Sequence, residues 1–560
     1  MTVMPGSPSA LRDPAARRGV FILVALYLLL YLLPLPVRTL ASPDEVRYGE
    51  IAREMLVSGD WVSPHFNGVR YFEKPALGHW LNALSLAVFG ENAFALRLPV
   101  ALATGLAALI VFALSRRFLG RSTALLATAI FLTTFLVAGV GTFALLDAFL
   151  ALFLTAALAA YYVALRAAAA ERRAWLIACG VACGAAFLVK GFLALAIPVI
   201  VAAPYLARAK RWRELVTSPW WPIAAATLVA LPWSVLVYLR EPDFWRYFFW
   251  VEHVQRFTAS DAQHAAPVWY YAAYLPLTGW PWILLLPAAV IGLRRGSGDR
   301  DFIAYLIIWA ALPFLFFSAS SGKLATYMLP CFAPLSILLA AGLEQYLAAG
   351  YARAWRVAGG LVAFAFLAVL MLLVAAQNGA FGAPPFGSGE YGRWATFFGA
   401  LLCGAMGGTV ALASRESSLG RIAGIAVAGA ALLVPLHFAL PRQALDNFAP
   451  GGAVARYAAS TDTVVVSDAP LFGTAAWVLK RADIYVASPG EIEYGLSYPE
   501  AKHRLLDGPA FAALLAANRG RHDVVLVCVP STEEELKALL PSSARREQQG
   551  NVIVWRVPAT

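Results

Sequence analysis

The chain has 560 residues, of which 60% are hydrophobic and only 14% charged, a balance that excludes an ordinary water-soluble protein. Its 44 Lys and Arg against 33 Asp and Glu leave a net charge of +11, which in a soluble chain would raise nucleic acid as a partner; that reading fails if the cations sit on loops flanking membrane spans. Five cysteines, at 179, 183, 331, 403 and 528, are odd in number and lie mostly in apolar stretches, so neither a disulfide framework nor a CxxC zinc cluster is implied.

A bilayer core of about 30 Å needs about 20 apolar residues per helix. Thirteen such runs occur, near 20–37, 94–115, 123–142, 146–165, 174–189, 191–207, 219–239, 277–293, 302–318, 327–345, 357–376, 394–413 and 422–440. The first follows Arg17 and Arg18 and precedes a Thr-Leu-Ala at 39–41, but it is too long for a signal-peptide core and reads as an uncleaved anchor. Lys and Arg collect on alternate connections, namely 1–19, 116–122, 166–173, 208–218, 294–301, 346–356 and 414–421. These read as cytoplasmic, with 1–19 as a cytoplasmic tail and 20–440 as one membrane domain. The positive surplus is then topology rather than nucleic-acid binding. The remaining connections and helix ends from 38 to 393 hold 12 Lys and Arg against 13 Asp and Glu and are read as facing the opposite, outer side.

The first outer loop, 38–93, opens Ser42-Pro43-Asp44-Glu45. Ser followed three residues later by Glu is a capping box, and Pro43 suits the first helical position, so a helix is predicted to about Val57. With Ile51, Met55 and Leu56 on one side and Arg47, Glu50, Arg53 and Glu54 around the rest, it is expected to be amphipathic and to lie along the membrane surface. Asp44 and Glu45 fall in its first turn, where the alternative reading is simple complementarity to the helix dipole. A second polar node, Tyr71-Phe72-Glu73-Lys74-Pro75, precedes a predicted helix at 76–89; Glu73 and Lys74 are either functional or a weak surface ion pair.

Asp147 stands alone in the apolar turn after Gly139-Val140-Gly141-Thr142. An unpaired charge there is expensive, so it faces a watery cleft or has a cationic partner. Lys190 is its counterpart at another outer turn, with snorkelling as the alternative. The segment 240–276 is rich in Trp and Tyr and carries Glu252, His253, Arg256, Asp261 and His264. Two His with Asp261, Glu252 and the distant Glu73 offer a divalent-metal set for Zn or Mg, although their spacing matches no motif; Glu73, His253 and His264 are the ligands it would use, and no cofactor is otherwise called for. Lys323, in the outer turn Ser320-Ser321-Gly322-Lys323-Leu324-Ala325-Thr326-Tyr327, is expected to serve an anionic phosphate as a mobile point charge. Past residue 441 charge returns. β-Branched runs at 463–467, 483–487, 523–529 and 551–557 alternate with helical patterns at 470–481 and 531–540, which predicts a small α/β domain over 441–560. No Walker or dinucleotide motif occurs, which disfavours ATP-driven pumping.

Carboxylates and cations on an outer face remote from ATP suit transfer from a pre-activated, phosphate-linked, membrane-dissolved donor. Cations would stabilise the departing phosphate while a carboxylate orients the acceptor or takes its proton. The strings Leu40–Tyr48, Ser58–Phe66, Tyr71–Pro75 and Ser321–Pro330 resemble the lipid A aminoarabinose transferases, ArnT, over residues 20–440, with the C-terminal domain matching in placement only. The Asp-Glu pair is shared with the wider GT-C glycosyltransferases, including protein mannosyltransferases, whereas Phe-Glu-Lys-Pro and Ser-Gly-Lys-Leu-x-Thr-Tyr are narrower. Ala76 and His79 vary within the Glu-Lys-Pro neighbourhood.

The resemblance implies a GT-C polytopic membrane fold and a pentosyltransferase of the bacterial inner membrane. It implies transfer of 4-amino-4-deoxy-L-arabinose from undecaprenyl phosphate to lipid A phosphates at the periplasmic face, underlying polymyxin and cationic-peptide resistance. In-line attack would invert the anomeric carbon. Asp44, Glu73 and Asp147 would be the catalytic carboxylates; Arg47, Tyr48, Tyr71, Lys74, Lys190, Arg256, Lys323 and Tyr327 would bind substrate. A monomer in contact with membrane lipids is expected. Two alternatives stay open: another polyprenyl-phosphate-sugar GT-C enzyme of O-mannosyltransferase type, and a secondary transporter. The transporter reading is disfavoured because the charges gather at one face and no repeat-related halves are visible.

Overall fold

The structure, a computed structural model, describes residues 14–255, 264–296, 298–414, 417–456 and 462–559. Among them nine helices are long and apolar enough to cross a membrane, from Ala93–Phe118 to Ser418–Ala439, or ten if Tyr270–Thr278 and Trp282–Arg295, bent by 101°, form one span. The other expected spans are shorter or broken. Residues 20–37 coincide with Pro14–Tyr27 running into a π-helical Leu28–Leu32, and 191–207 with the 16-residue Leu193–Arg208. The run at 123–142 is split by extended Thr134 into Arg121–Thr133 and Phe135–Val140. That break is bridged from outside, because the Phe135 N–H donates to the Trp280 carbonyl at 3.0 Å.

Small residues let these helices approach closely. A Cβ at Gly342 would collide with the backbone of Ala289, and one at Gly292 with that of Gly342, so Leu286–Arg295 and Leu329–Ala348 meet almost backbone to backbone.

The first-loop helix forms as predicted, over Asp44–Ser58, and stops at left-handed Gly59 (φ 70°). Its placement corrects the sequence expectation. Every residue from Glu45 to Met55 is buried, so it does not lie along the membrane surface. The helix is sandwiched between Leu77–Phe89 and the C-terminal Phe472–Leu479 helix, and Trp477 stacks close over Gly49. Its polar face is neutralised internally, by Arg53 donating to both Glu50 oxygens at 2.8 and 2.5 Å. The capping box is also absent: the Ser42 hydroxyl donates to the Pro470 carbonyl at 3.0 Å, and Glu45 turns inward.

Next comes a two-strand hairpin that the sequence reading passed over, His65–Phe66 against Val69–Arg70. Asn67 and Gly68 make its turn with φ of 56° and 68°, and Asn-Gly is the strongest short-range signal for such a turn. Asn67 does more than turn the chain. Its amide donates to Ile484 O at 2.9 Å and accepts from Ile484 N at 3.1 Å, so the hairpin tip is plugged into the C-terminal domain.

That domain is a mixed five-stranded sheet in the order 485–486, 464–467, 524–528, 552–557, 545–549. The first three strands are parallel and the last two antiparallel to their neighbours. Val524–Cys528 is buried along its whole length, as expected of a strand covered on both faces.

Glu54 sits at the junction of helix, hairpin and domain, buried and accepting the Gly68 N–H at 2.8 Å. Burial, and then the neighbouring Glu50 charge, pushes its carboxyl well above the ordinary value of 4.5. A raised folded value means the proton is held by the folded chain and lost on unfolding. Stability from this group is therefore present below about pH 4.5 and declines as pH rises through the folded value. Glu54→Gln keeps the acceptor and removes the titration. The melting temperature of the variant is expected to gain on wild type as pH rises from mildly acidic to neutral; a constant difference would contradict the assignment.

Candidate active site

Glu45 is fully enclosed, with a side chain 0% exposed. It accepts from Arg97 Nε at 2.7 Å and Nη2 at 2.8 Å, from Arg38 Nη1 at 2.7 Å, and from the Ala41 and Ala144 N–H groups at 2.8 and 2.9 Å. Burial works to raise its carboxyl, but Arg97 and Arg38 outweigh it and hold the group well below the usual carboxylate range. Arg97 in turn donates to the carbonyls of Leu35, Arg38 and Thr39. One carboxylate thus ties the end of the first span, the first-loop helix, the helix Ala93–Phe118 and the turn that delivers Asp147.

Asp44, its neighbour, points the other way. Its side chain is 50% exposed and pairs with Arg47, which also contacts Glu491 of the C-terminal domain and donates to the Tyr48 hydroxyl at 3.2 Å. Burial opposes the Arg47 charge, yet Tyr48, Tyr71, Asp44 and Glu73 more than offset it and keep the guanidinium firmly protonated. His79 lies behind the tyrosines, with ring centroids 5.8 Å from Tyr48 and 6.4 Å from Tyr71. Burial, with Arg47 and Lys74 nearby, pushes it down to about 3 and leaves it neutral.

A cavity of about 110 Å³ gathers residues that are remote in sequence: Glu73, Lys74, Asp147, Lys190, Glu252 and Tyr327 are among those lining it. Lys74 Nζ donates to Glu252 at 3.0 Å and to the Glu73 carbonyl at 2.8 Å. Lys190 Nζ donates to Asp147 at 2.9 Å and lies 5.4 Å from the Tyr327 ring centroid. Tyr71 donates to Glu73 at 3.2 Å. The expectation that Asp147 has a cationic partner is met by Lys190. Two lysines and three carboxylates in one recess can take a phosphate on the cations and an ammonium on the carboxylates at the same time.

Other expected site residues stand elsewhere. Asp44 does not line this cavity; it approaches through Arg47. Lys323 is buried and donates to the Ala266, Ser320 and Ser321 carbonyls, so it pins a turn and is not the mobile phosphate charge expected. Its own partners satisfy the ammonium before any ligand arrives. Arg256 and Asp261 lie outside the described residues, as does the side chain of His253. His264 is exposed, with φ 61°, and among the described residues no three His, Cys, Asp or Glu side chains group as metal ligands.

The sequence reading also missed the brace on the Glu252 segment. Asp243 accepts from the hydroxyls of Tyr494, at 2.7 Å, and Tyr498; burial opposes its charge, but the two phenols hold the carboxyl below its usual range. Tyr247 packs on Tyr494 at 4.1 Å between centroids. Arg70 pairs with Glu241 at 2.8 Å and with Glu500. The C-terminal domain therefore grips both chain segments that supply the Lys74–Glu252 pair.

Comparison with known proteins places this fold and recess among membrane glycosyltransferases that use a polyprenyl-phosphate sugar. Residues 17–248 match the dolichyl-phosphate-mannose-protein mannosyltransferase family and residues 449–556 the C-terminal domain of arabinosyl transferase ArnT. The undecaprenyl phosphate-α-4-amino-4-deoxy-L-arabinose arabinosyl transferase of Edwardsiella ictaluri is 42% identical over 549 residues, 96% of this chain and 98% of that one. ArnT from Cupriavidus metallidurans in the apo state superposes with a TM-score of 0.81 at 26% identity, covering 97% of this chain and 98% of that one. The same protein bound to undecaprenyl phosphate gives 0.78 at 25% identity, with 96% and 97% covered. The chain belongs to the undecaprenyl phosphate-aminoarabinose arabinosyl transferases, the ArnT family.

Two outcomes follow from this geometry. Arg97→Met leaves Glu45 buried with a single cationic partner and is expected to cost about 3–5 kcal/mol, read as a large fall in melting temperature in detergent; an unchanged melting point would remove Glu45 as the anchor. Tyr494→Phe combined with Tyr498→Phe strips Asp243 of both donors. Hydrogen–deuterium exchange is then expected to rise over 241–252 and not in the membrane helices, whereas wild-type exchange there would show that the brace holds nothing.

Proposed function

We propose that this protein moves 4-amino-4-deoxy-L-arabinose from undecaprenyl phosphate onto lipid A phosphates at the periplasmic face of the bacterial inner membrane. In this topology the thirteen runs, including the short and broken ones, all cross, the 1–19 tail is cytoplasmic, and the recess and the 441–560 domain are periplasmic. The observation that carries the reading is the pairing of two lysines with three carboxylates in one recess. A donor with an ammonium on its sugar and a phosphate on its lipid complements both sets. On entry its phosphate takes Lys74 and Lys190, and the released Glu252 and Asp147, with Glu73, receive the sugar ammonium.

Reaction then needs little covalent help from the protein. A lipid A phosphate oxygen attacks the anomeric carbon, the bond from that carbon to the undecaprenyl phosphate oxygen breaks, and the departing phosphate carries away the electron pair. In-line displacement inverts the carbon. Lys74 and Lys190 stabilise the charge growing on the leaving group. The acceptor is already anionic, so Asp44, held by Arg47, orients it or takes its remaining proton. The donor's tail has a nearby berth. An apolar groove of about 620 Å³, lined by Phe187, Phe192, Leu195, Val199 and Ala226 among others, begins beside the turn that carries Lys190. Capping lipid A phosphates lowers their negative charge, which accounts for resistance to polymyxin and other cationic peptides.

Mass spectrometry of lipid A from a host lacking its own transferase is the test. Cells carrying the wild-type chain are expected to gain the aminoarabinose mass increment. Lys74→Ala, Lys190→Ala, Asp147→Asn and Asp44→Asn are each expected to lose it with expression intact, since removal of one such group costs on the order of 100-fold or more in rate. An unchanged lipid A pattern with wild type would sink the reading, and any variant that keeps full modification leaves the catalytic set.

A further inference from the structure

A second cavity, of about 450 Å³, lies between the first loop and the C-terminal domain and is walled by residues from both. Its position follows from the sheet. From strand Val464–Ser467 the chain crosses over to Tyr485–Val486 on one side and later reaches Val524–Cys528 on the other. The strand order therefore reverses between 464–467 and 524–528. In open parallel sheets the crevice outside the carboxyl ends at such a switch point is where ligands bind. The residues just past those two ends, Ala469, Pro470 and Leu471 on one strand and Val529 on the other, line this cavity. Buried Asp468 shapes the crevice floor by accepting the Leu471 N–H at 3.2 Å and the Val529 N–H at 2.7 Å.

The opposite wall is the start of the first-loop helix: Ser42, Pro43, Val46 and Arg47. Arg47 lines this crevice, where it pairs with Glu491 across from it and with Asp44 on its own helix. Its side chain is only 7% exposed, and among the described residues its Nε, a buried donor, has no acceptor. A buried guanidinium with an unused N–H beside an open cavity calls for a further anion or hydroxyl.

The rest of the lining gives the chemical class. Asp446, Asn447, Glu491 and Asn551 offer carboxylate and amide groups, and Phe66 and Phe472 offer apolar ring surface. Acceptors and amides beside aromatic faces suit the hydroxyls and ring hydrogens of a sugar, and the single cation suits its phosphate. The volume falls within the roughly 300–1,000 Å³ of ordinary ligand pockets. We propose that this crevice binds the phosphorylated amino-sugar head group of the acceptor, so that the C-terminal domain is half of the acceptor site and presents the phosphate to Asp44 across Arg47. The proposal rests on the lipid A reading above and deepens it. The donor's sugar-phosphate shares the same chemistry, and the test separates the two.

The full-length protein in nanodiscs, carrying Asn551→Cys, is labelled with a charged maleimide and the modified peptide is quantified. Asn551 is exposed at the crevice and its side chain carries none of the transfer chemistry. A phosphorylated glucosamine disaccharide without acyl chains is expected to slow labelling at this position about fivefold or more at saturation, and undecaprenyl-phosphate aminoarabinose to leave it unchanged. Equal rates with and without the disaccharide, or slowing by the donor alone, would overturn the proposal. As a second arm, Asn551→Trp fills the crevice and is expected to raise the KM for lipid A about tenfold while the donor KM stays within about twofold; parallel shifts in both, or in neither, count against it. Should wild type fail to modify lipid A at all, the functional reading fails, and the disaccharide arm still decides whether the crevice takes a sugar phosphate.

Discussion

The buried carboxylate of Glu45 is the constraint on which the arrangement depends. Placing an ion in a low-dielectric interior costs several kcal/mol unless its partners are complete, and Glu45 has five donors from three segments outside its own helix. None of those elements can shift without leaving a buried charge short of a partner. The helix that carries Asp44 and Arg47 and the turn that carries Asp147 are therefore set relative to each other by one side chain. Its value lies in geometry: a strained or half-filled network here would cost more than an apolar core of the same shape.

From this anchor the chemistry is distributed outward in layers. Glu45 fixes the backbone, Arg47 and the tyrosines form a rigid polar wall, and the two lysine–carboxylate pairs occupy the recess. Each lysine there has a carboxylate partner, Glu252 for Lys74 and Asp147 for Lys190. The C-terminal domain is part of the same machine rather than an appendage. Asn67 is plugged into it, Asp243 is gripped by its tyrosines, and Glu491 meets Arg47, so both segments supplying the Lys74–Glu252 pair are referenced to one body.

Much of this was legible in the sequence, and the exceptions have physical reasons. Apolar runs report the solvent around each segment, so the apolar helices and most of the small sheet fall where expected, although among the described residues only nine or ten helices are long enough to span. The edge strand Arg545–Gln549 was missed because its residues are polar and mostly exposed, as edge strands that resist further pairing are. Arg97 left a signal that went unread, a lone cation in the apolar run Phe94-Ala95-Leu96-Arg97-Leu98, which by default marks a buried partner. Glu45 and Asp44 could not be told apart locally, since one residue of helical rotation decides which faces the core. That Lys323 is held in place and not mobile was hidden for a similar reason: three carbonyls, one contributed by Ala266, converge on it only in three dimensions. The fate of the first-loop helix depended on a domain some 400 residues away in sequence, and no local pattern announces that contact.

The measurement that bears most directly on the central claim is an experimental structure of this protein with undecaprenyl phosphate bound. The account predicts the phosphate in the recess, with Lys74 Nζ turned from Glu252 to within about 3 Å of a phosphate oxygen and Lys190 drawn from Asp147 towards the same group. A phosphate found elsewhere, with the Lys74–Glu252 and Lys190–Asp147 contacts still at 3.0 and 2.9 Å, would contradict it.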